Sequence, residues 1–191
     1  MQYLCAVQFY SRRLFLNEIK SSDLDSIHKL HSNHQVDLFN TLGVPSGIKT
    51  TEKLLQSWVA EQSNFPKTKM VFAITIVAQN DFIGLLGINM GKPGYNSAEL
   101  WFKIDPACWN QGYATEAVHR TLKLCFEDLE LHRVEAGCAV ENIAAYRVLE
   151  KCGFLREAHC RKLLPIRGQW HDNYGYAILS SDYFEQLKLK P

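Results

Sequence analysis

A turn glycine directly precedes a long amphipathic segment near the middle of the chain. Residues 109–117 (WNQGYATEA) follow a strand-like run, 100–104, and a break at Asp105 and Pro106. The first backbone N–H groups of a helix have no intrahelical acceptor, and the helix dipole adds positive potential at the same end. A strand, a glycine turn and a helix start in this order therefore predict a site for a phosphate-type anion.

The residues around Gly112 exclude two familiar phosphate motifs. No Gly-Lys-Ser or Gly-Lys-Thr follows it, so the turn is not a P-loop. A dinucleotide-binding fingerprint does not fit either, because only one glycine is present and the turn comes after the fourth predicted strand. The residues alone predict a generic anion site at 111–115, with an ordinary helix start as the alternative.

Charged and aromatic side chains alternate on the strand that leads to this turn. By the two-residue period of a strand, its less apolar face carries Glu99, Trp101 and Lys103. Glu135 has the corresponding position on the next predicted strand, 131–140. This face either contacts a ligand or is covered by the early helices, and the sequence leaves both interpretations open.

The hydrophobic periodicities predict an α/β chain with the element order β-α-α-β-β-β-α-β-α-β-β. The seven strands fall at 12–19, 70–78, 82–89, 98–104, 131–140, 154–164 and 170–179. Thr50 or Thr51 is expected to cap the second helix, and Asn142 the short helix 143–151. The central unit of strand 98–104, helix 113–129 and strand 131–140 predicts a right-handed crossover in a mixed sheet. No linker or repeat interrupts the pattern, so we expect one domain over residues 1–191.

Composition and net charge exclude several classes of protein. The chain is 47% hydrophobic and 21% charged with a formal net charge of +1, which gives no electrostatic basis for binding nucleic acid or an anionic membrane. No apolar run approaches the roughly 20 residues that span a bilayer, and the N-terminus lacks a signal-peptide pattern. The six cysteines include no C-x-x-C pair, which favours a reduced, cytoplasmic protein.

Three histidines recur at every third position of the first predicted helix: His28, His31 and His34. A zinc site would require them to converge at tetrahedral geometry, and no acidic or cysteine ligand follows in register. We therefore interpret them as a partly exposed polar stripe and expect no metal site.

Several separated motifs resemble the GNAT superfamily of N-acetyltransferases, and in particular its ribosomal-protein alanine/serine branch (RimJ/RimL-type). They are 98–100 (AEL), Pro106, 109–117 (WNQGYATEA), 131–136 (LHRVEA), Asn142, 147–154 (RVLEKCGF), 168–172 (GQWHD) and Tyr176. The likeness covers about residues 12–179. It implies a single α/β (α+β) domain whose seven-stranded, mostly antiparallel sheet is flanked by helices, with its fourth and fifth strands splayed apart.

The resemblance also implies acetyl-CoA as cosubstrate and no metal. In the family, backbone amides of the glycine turn bind the pyrophosphate, which gives this role to Gln111, Gly112, Tyr113, Ala114 and Thr115. Pantetheine is expected between the splayed strands, along the backbone of Phe102, Lys103 and Ile104. Asn142 is expected to face it, and Arg147 is a further cofactor-binding candidate.

Acetyl transfer needs an amine that loses its proton, an N–H donor for the tetrahedral oxyanion and a route to protonate the leaving thiolate. Two proton donors common in the family are missing, because Leu149 and Ala145 occupy their positions. The remaining alternatives are water, Tyr146, Cys138 and Tyr113. The candidate bases are Glu99, Glu135, His171 and Asp172, and each has a structural alternative, such as an ion pair of Glu135 with Arg133.

The sequence leaves the acceptor open. It is either the N-terminal amine of a ribosomal protein or a small amine such as a polyamine, an amino sugar, an aminoacyl conjugate or an antibiotic. Phe39, Trp58 and Trp101 are candidate walls of the acceptor site, with core packing as the alternative for the tryptophans. An acyl-CoA-binding module without turnover also fits the missing proton donors. A homodimer, to which the C-terminal strand pair would contribute, is a further expectation.

Overall fold

A computed structural model describes residues 7–189, so Cys5 lies outside the described residues. The helices are α1 (Leu24–His31), α2 (His34–Asp37), α3 (Ile48–Gln62), α4 (Tyr113–Lys123), α5 (Ile143–Lys151) and α6 (Ser180–Leu189). The strands are β1 (Gln8–Tyr10), β2 (Leu14–Glu18), β3 (Lys69–Ile76), β4 (Asp81–Met90), β5 (Ser97–Ile104), β6 (Arg133–Ala139), β7 (Leu155–Ile166) and β8 (Gln169–Leu179). Within this part of the chain, no helix combines the length and apolar character that crossing a bilayer requires.

The strands form one eight-stranded sheet in the order β1-β2-β3-β4-β5-β6-β8-β7. Every neighbouring pair is antiparallel except β5 and β6, which are parallel and are connected through α4. The predicted mixed, mostly antiparallel α/β fold and its central strand–helix–strand unit are therefore confirmed.

Two predicted details of the N-terminal half were wrong. The sheet has eight strands instead of seven, because β1 precedes β2 and pairs with it. A run of three residues is too short for a two-residue period to distinguish it from a loop. The second long helix, predicted to be capped by Thr50 or Thr51, begins at Ile48, and Thr51 is buried inside it.

The two faces of the sheet carry separate apolar cores. On one side, which we call the α4 face, Leu100 and Val134 pack with Val118 of α4. On the other side, the α1–α3 face, Ile27 of α1 and Leu55 of α3 cover the sheet. The side chains of Glu99, Trp101 and Lys103 belong to this α1–α3 face, where Trp101 packs against the core under the early helices. The interpretation that the early helices cover this face is therefore supported at Trp101, and contact with a ligand stays a prediction.

β5 and β6 lie side by side over only three residue pairs, which are Ser97–Arg133, Ala98–Val134 and Glu99–Glu135. β5 continues to Ile104 and β6 to Ala139 without further pairing between them. The strands therefore separate after Glu99 and Glu135, which confirms the predicted splay. The space between them is called the β5–β6 gap below.

Candidate functional site

The N-terminus of α4 has the geometry of an anion-binding turn. Gly112 has a φ of +79°, a left-handed conformation that favours glycine. The Glu116 N–H donates to the Gly112 carbonyl at 3.0 Å. The N–H groups of Tyr113, Ala114 and Thr115, the first three residues of α4, therefore have no acceptor within the helix.

Two side chains hold this turn at the end of β5. Trp109 Nε1 donates to the Ile104 carbonyl at 2.8 Å, and Gln111 Nε2 donates to the Ala107 carbonyl at 3.0 Å. α4 itself runs to Lys123 and continues as a π-helical turn, 124–128, where the sequence predicted a plain helix to 129. The turn is thus fixed by side chains while its backbone amides stay available.

A guanidinium that the sequence analysis missed lies beside the turn. Arg13 donates from Nη1 to the Gln111 carbonyl at 3.0 Å and from Nε to Glu116 Oε2 at 2.7 Å. Its guanidinium carbon is 4.3 Å from the centre of the Tyr113 ring. Burial alone would raise the pKa of Glu116, but hydrogen bonds from Arg13 and Ser11 outweigh it and lower that pKa. Arg13 therefore adds positive charge next to the free amides of α4.

The β5–β6 gap leads from Glu99 and Glu135 to this turn. Beyond Glu99, the β6-facing edge of β5 has no strand partner among residues 7–189. The N–H and C=O of Phe102 and the N–H of Ile104 can therefore face a molecule in the gap. The backbone groups of Lys103 face Leu85 of β4 instead, and the Ile104 carbonyl already accepts from Trp109.

Asn142 and Arg147 lie on the β6 side of the gap. Asn142 is the N-cap residue of α5, where its Oδ1 accepts from the Ala145 N–H at 3.2 Å. Arg147 is exposed farther along α5. The predicted cap of α5 is confirmed, whereas the predicted contacts of these two residues with the cofactor stay predictions.

Glu99 and Glu135 are register partners with different surroundings. Glu99 Oε2 accepts from Asn89 Nδ2 at 3.4 Å, and Glu99 has no ion pair among residues 7–189. Glu135 Oε1 accepts from Arg133 Nε at 2.7 Å, and Arg133 also pairs with Glu157. The structural alternative for Glu135 is therefore present, and Glu99 has the freer carboxylate.

His171 and Asp172 lie in an open groove of about 860 Å³ between the β7–β8 hairpin and the loop after β6. His171 Nδ1 is 3.3 Å from Glu141 Oε1, and Asp172 Oδ2 is 2.8 Å from His159 Nε2. The Lys162 N–H and the His159 imidazole hold the pKa of Asp172 below its usual range. These contacts give Asp172 the strand-fixing role that was its structural alternative.

The predicted aromatic walls have different degrees of burial. The rings of Trp58 and Trp101 are 5.7 Å apart between centroids. Trp58 is only 6% exposed, so it supports Trp101 from the core and does not itself form an open wall. Trp101 is half-buried over Gly87, where a Cβ would lie 2.1 Å from the indole, and Phe39 is half-buried after α2. Trp101 and Phe39 thus remain candidate walls.

The α1–α3 face also buries polar side chains. His31 is 5% exposed, which corrects the interpretation of the histidines as a partly exposed stripe. Burial lowers the pKa of His31 to about 3, and the charges of Lys103 and His28 act in the same direction. Burial likewise lowers the pKa of Lys103 to about 8, against the opposing effect of Asp37. Across residues 7–189, no group of three or more His, Cys, Asp or Glu side chains is arranged to hold a metal ion.

The anion-binding turn and the gap between parallel strands are two features that the sequence resemblance implied. Residues 13–155 match the family described as the acetyltransferase (GNAT) domain. The chain belongs to the GNAT acetyltransferases. Members of this family use acetyl-CoA, and the chain is accordingly an acyltransferase.

Individual GNAT proteins resemble the chain over most of its length. It is 29% identical to the uncharacterized N-acetyltransferase YnaD of Bacillus subtilis, over 91% of the chain and 97% of that relative. It is 23% identical to the ribosomal-protein-serine acetyltransferase of Escherichia coli, over 85% and 90%. The spermidine N-acetyltransferase of Vibrio cholerae, solved in complex with CoA and spermine, matches with a TM-score of 0.79 and 27% identity, covering 90% of this chain and 98% of that one. The last two proteins are named for different acceptors, a ribosomal protein and spermidine.

Apolar side chains occupy the two positions at which the sequence resemblance implies a proton donor. Leu149 is 1% exposed in the core, and Ala145 is half-buried. Tyr146 is half-buried and packs edge-on against Tyr174, with ring centroids 6.1 Å apart. Burial raises the pKa of the Cys138 thiol to about 11, so it stays protonated at neutral pH. The choice of proton donor that the sequence left open stays open among these groups and water.

Proposed function

We propose that this GNAT protein transfers the acetyl group of acetyl-CoA to a primary amine by direct attack within a ternary complex. The observation that carries the proposal is the course of the β5–β6 gap, which begins at the Glu99–Glu135 pair and ends at the α4 turn. A molecule held along it has one end at free backbone amides and the other at two carboxylates. Acetyl-CoA fits this polarity, because its pyrophosphate and its thioester are at opposite ends.

The cofactor contacts follow from this orientation. The backbone amides of the turn bind the pyrophosphate, and the Arg13 guanidinium adds a nearby cation. The residues proposed for the turn are Gln111, Gly112, Tyr113, Ala114 and Thr115. Pantetheine runs along the open edge of β5 at Phe102, Lys103 and Ile104, with Asn142 and Arg147 on its other side.

Glu99 is the proposed general base. An amine attacks only when it is neutral, and a free α-amine has a pKa of about 7.7–8.0. The amine proton passes to Glu99, directly or through a water, as the nitrogen bonds to the thioester carbon. A backbone N–H on the open edge of β5 donates to the oxyanion. Supporting this choice, Glu99 lacks the cationic partner that occupies Glu135.

The thiolate then leaves with the electrons of the C–S bond. A thiol pKa of about 8.5 makes it a fair leaving group, and water, Tyr146 or Cys138 supplies its proton. Tyr113 fits this role less well, because it packs under the Arg13 guanidinium at the pyrophosphate end of the gap.

A small amine fits the acceptor side better than a long peptide. Arg167 at the tip of the β7–β8 hairpin reaches Asp37 of α2, with Nη2 3.3 Å from Oδ2. This contact joins two elements across the α1–α3 face, on the side of Lys103. A closed pocket with converging polar groups suits a small molecule, whereas a peptide acceptor needs an open groove. A protein N-terminal amine is the alternative.

Release of free CoA thiol tests the proposal. The purified chain is incubated with acetyl-CoA and a panel containing a ribosomal N-terminal peptide, polyamines, aminoglycosides and aminoacyl nucleotides. We expect thiol release above hydrolysis for at least one amine, together with a gain of one acetyl group on that amine by mass spectrometry. Tight acetyl-CoA binding without release for any amine would instead support an acyl-CoA-binding module.

Association into a homodimer stays a prediction. β7 is the last strand of the sheet and has a strand neighbour on one side only within residues 7–189, so its outer edge is available to a second copy. Sedimentation equilibrium with and without acetyl-CoA tests this. Membership of the RimJ/RimL-type branch, the cytoplasmic location and the single domain over 1–191 likewise stay predictions.

A further inference from the structure

Polar atoms of two buried side chains and of the half-buried Lys103 lie together on the α1–α3 face beside β5. The atoms His31 Nε2, Asp37 Oδ1 and Lys103 Nζ are shielded from solvent and have no hydrogen-bond partner within residues 7–189. His31 and Asp37 are 5% and 3% exposed. Native proteins leave few buried polar groups unsatisfied. Three such atoms in one region therefore indicate a site that a ligand completes.

These three residues are near neighbours. The charge of Lys103 is among the causes that lower the pKa of His31, and the Asp37 carboxylate acts to raise the pKa of Lys103. The His31 ring contacts Trp58, with centroids 6.0 Å apart, and Trp58 contacts Trp101. Trp101 is two residues from Lys103 on the same face of β5, next to the proposed acceptor wall.

The charge balance of this cluster depends on Arg167. Its guanidinium pairs with Asp37, and its Nη2 also donates to the His34 carbonyl at 3.3 Å. The single Asp37 carboxylate therefore acts on two cations, Arg167 and Lys103, so the cluster has one more positive charge than it has carboxylates. His31 is neutral at physiological pH, because burial lowers its pKa to about 3. Lys103 is left as a cation without an ion pair among the described residues.

We propose that Lys103 binds an anionic group of the acceptor, a carboxylate or a phosphate, at the end opposite its reacting amine. This rests on the proposed function, because it takes Glu99 as the place of the amine. Glu99 and Lys103 are four positions apart on β5, which is about 13 Å in an extended chain. The acceptor is thus an elongated molecule whose amine and anion are on the order of 10 Å apart. A polyamine would place a cation against Lys103.

The first test uses acceptors that share one amine and one spacer: 8-aminooctanoate, 8-aminooctyl phosphate, octylamine and 1,8-diaminooctane. In the thiol-release assay we expect kcat/KM about tenfold or more higher for the two anionic compounds than for octylamine. The carboxylate and phosphate arms show which anion is preferred. Equal rates for octylamine, or a preference for the diamine, would leave the acetyltransferase function intact and overturn the anion site.

The second test replaces the cation. Lys103→Met keeps much of the side-chain volume, and KM for 8-aminooctanoate should rise about tenfold or more relative to KM for octylamine measured with the same variant. Lys69→Met is the matched control, because Lys69 lies on the same face of the sheet but already pairs with Glu61. Lys103→Arg should restore part of the preference. An equal loss with both acceptors indicates a structural role and contradicts the inference.

A third measurement does not need turnover. Calorimetry compares N-acetyl-8-aminooctanoate with N-acetyloctylamine on the CoA-bound protein, in wild type and Lys103→Met. We expect tighter binding of the carboxylate, lost in the variant. Equal binding of the two compounds, or no binding of either, overturns the anion site even if no amine supports thiol release. Weaker CoA binding by Lys103→Met than by wild type would mean that the Lys103 cation binds the cofactor. This result would also overturn the anion site.

Discussion

Glu99 on β5 lies directly opposite Glu135 on β6, and the two form the last residue pair before the strands separate. Their partners differ, since Arg133 Nε donates to Glu135 at 2.7 Å while the Asn89 amide is 3.4 Å from Glu99. Position in the sheet therefore does not distinguish the two carboxylates, but their contacts do. Glu99 is the one that can accept a proton without giving up an ion pair.

Glu99→Gln should lower kcat by about 100-fold or more, because a positioned base contributes about 10²–10⁴-fold. The residual rate should climb on the alkaline side, where the amine loses its proton in solution. The Kd for acetyl-CoA should not change. The measurements are kcat against pH and calorimetric binding, with Glu135→Gln expected to retain more activity. Unchanged turnover across the pH range would remove Glu99 from the mechanism.

Gly112→Ala should weaken acetyl-CoA binding about tenfold, because a Cβ at a φ of +79° strains the turn that aims the α4 amides. Gly94→Ala is the matched control, with a φ of +88° and open space around its Cβ position. Both variants should lose stability on the order of 1 kcal/mol. Equal acetyl-CoA affinity in the two would argue against pyrophosphate binding at this turn.

Arg13→Gln should raise the Kd for CoA by roughly tenfold and leave binding of S-acetylpantetheine, which has no pyrophosphate, unchanged. The side chain contacts Gln111 and Glu116 at the turn, whereas Arg12 is exposed. Arg12→Gln therefore controls for the loss of one positive charge from the surface. A loss of affinity for both ligands would indicate that Arg13 acts by holding the fold.

His31 should make the fold sensitive to acid. Burial lowers its pKa from 6.5 to about 3. Between these two pH values the unfolded chain therefore binds a proton at His31, whereas the folded protein does not. Stability should therefore fall as pH drops from 6.5 towards 3, by up to about 1.4 kcal/mol per pH unit from this group. Urea unfolding at pH 7, 6 and 5 should show a shallower fall for His31→Gln than for wild type. His34→Gln, at an exposed position, should not differ from wild type.

Local patterns were sufficient for the parts of the site that lie within one element. The order of residues at 109–117 predicts a glycine turn and a helix start, and both are present at Gly112 and α4. Asn142 was likewise predicted to cap the following helix and does so. The directions of backbone N–H groups depend on neighbouring residues only, which is why the sequence predicts them.

Contacts between distant residues were not predictable in this way. Arg13 and Glu116 are 103 positions apart, and Asp37 and Arg167 are 130 apart. Neither pair has a periodicity that relates its members, and the three-residue strand β1 acquires its conformation by pairing with β2. The burial of single side chains was not predictable from the sequence either. His31 is an example, because its burial depends on how α1 and α3 pack against the sheet.

The sequence by itself therefore determined two parts of the site. One is the strand, glycine turn and helix that present free backbone amides. The other is the strand periodicity that puts Glu99, Trp101 and Lys103 on one face of the sheet. Within residues 7–189, only the tertiary structure decided which of the two carboxylates has no ion pair and which shielded cation has no partner. The Arg133–Glu135 pair joins positions two apart on β6 and was an alternative that the sequence already offered. The Arg167–Asp37 pair, in contrast, forms only when the β7–β8 hairpin and α2 meet in the folded chain. Charge balance in a buried site is a sum over such neighbours, and no local stretch of sequence contains it.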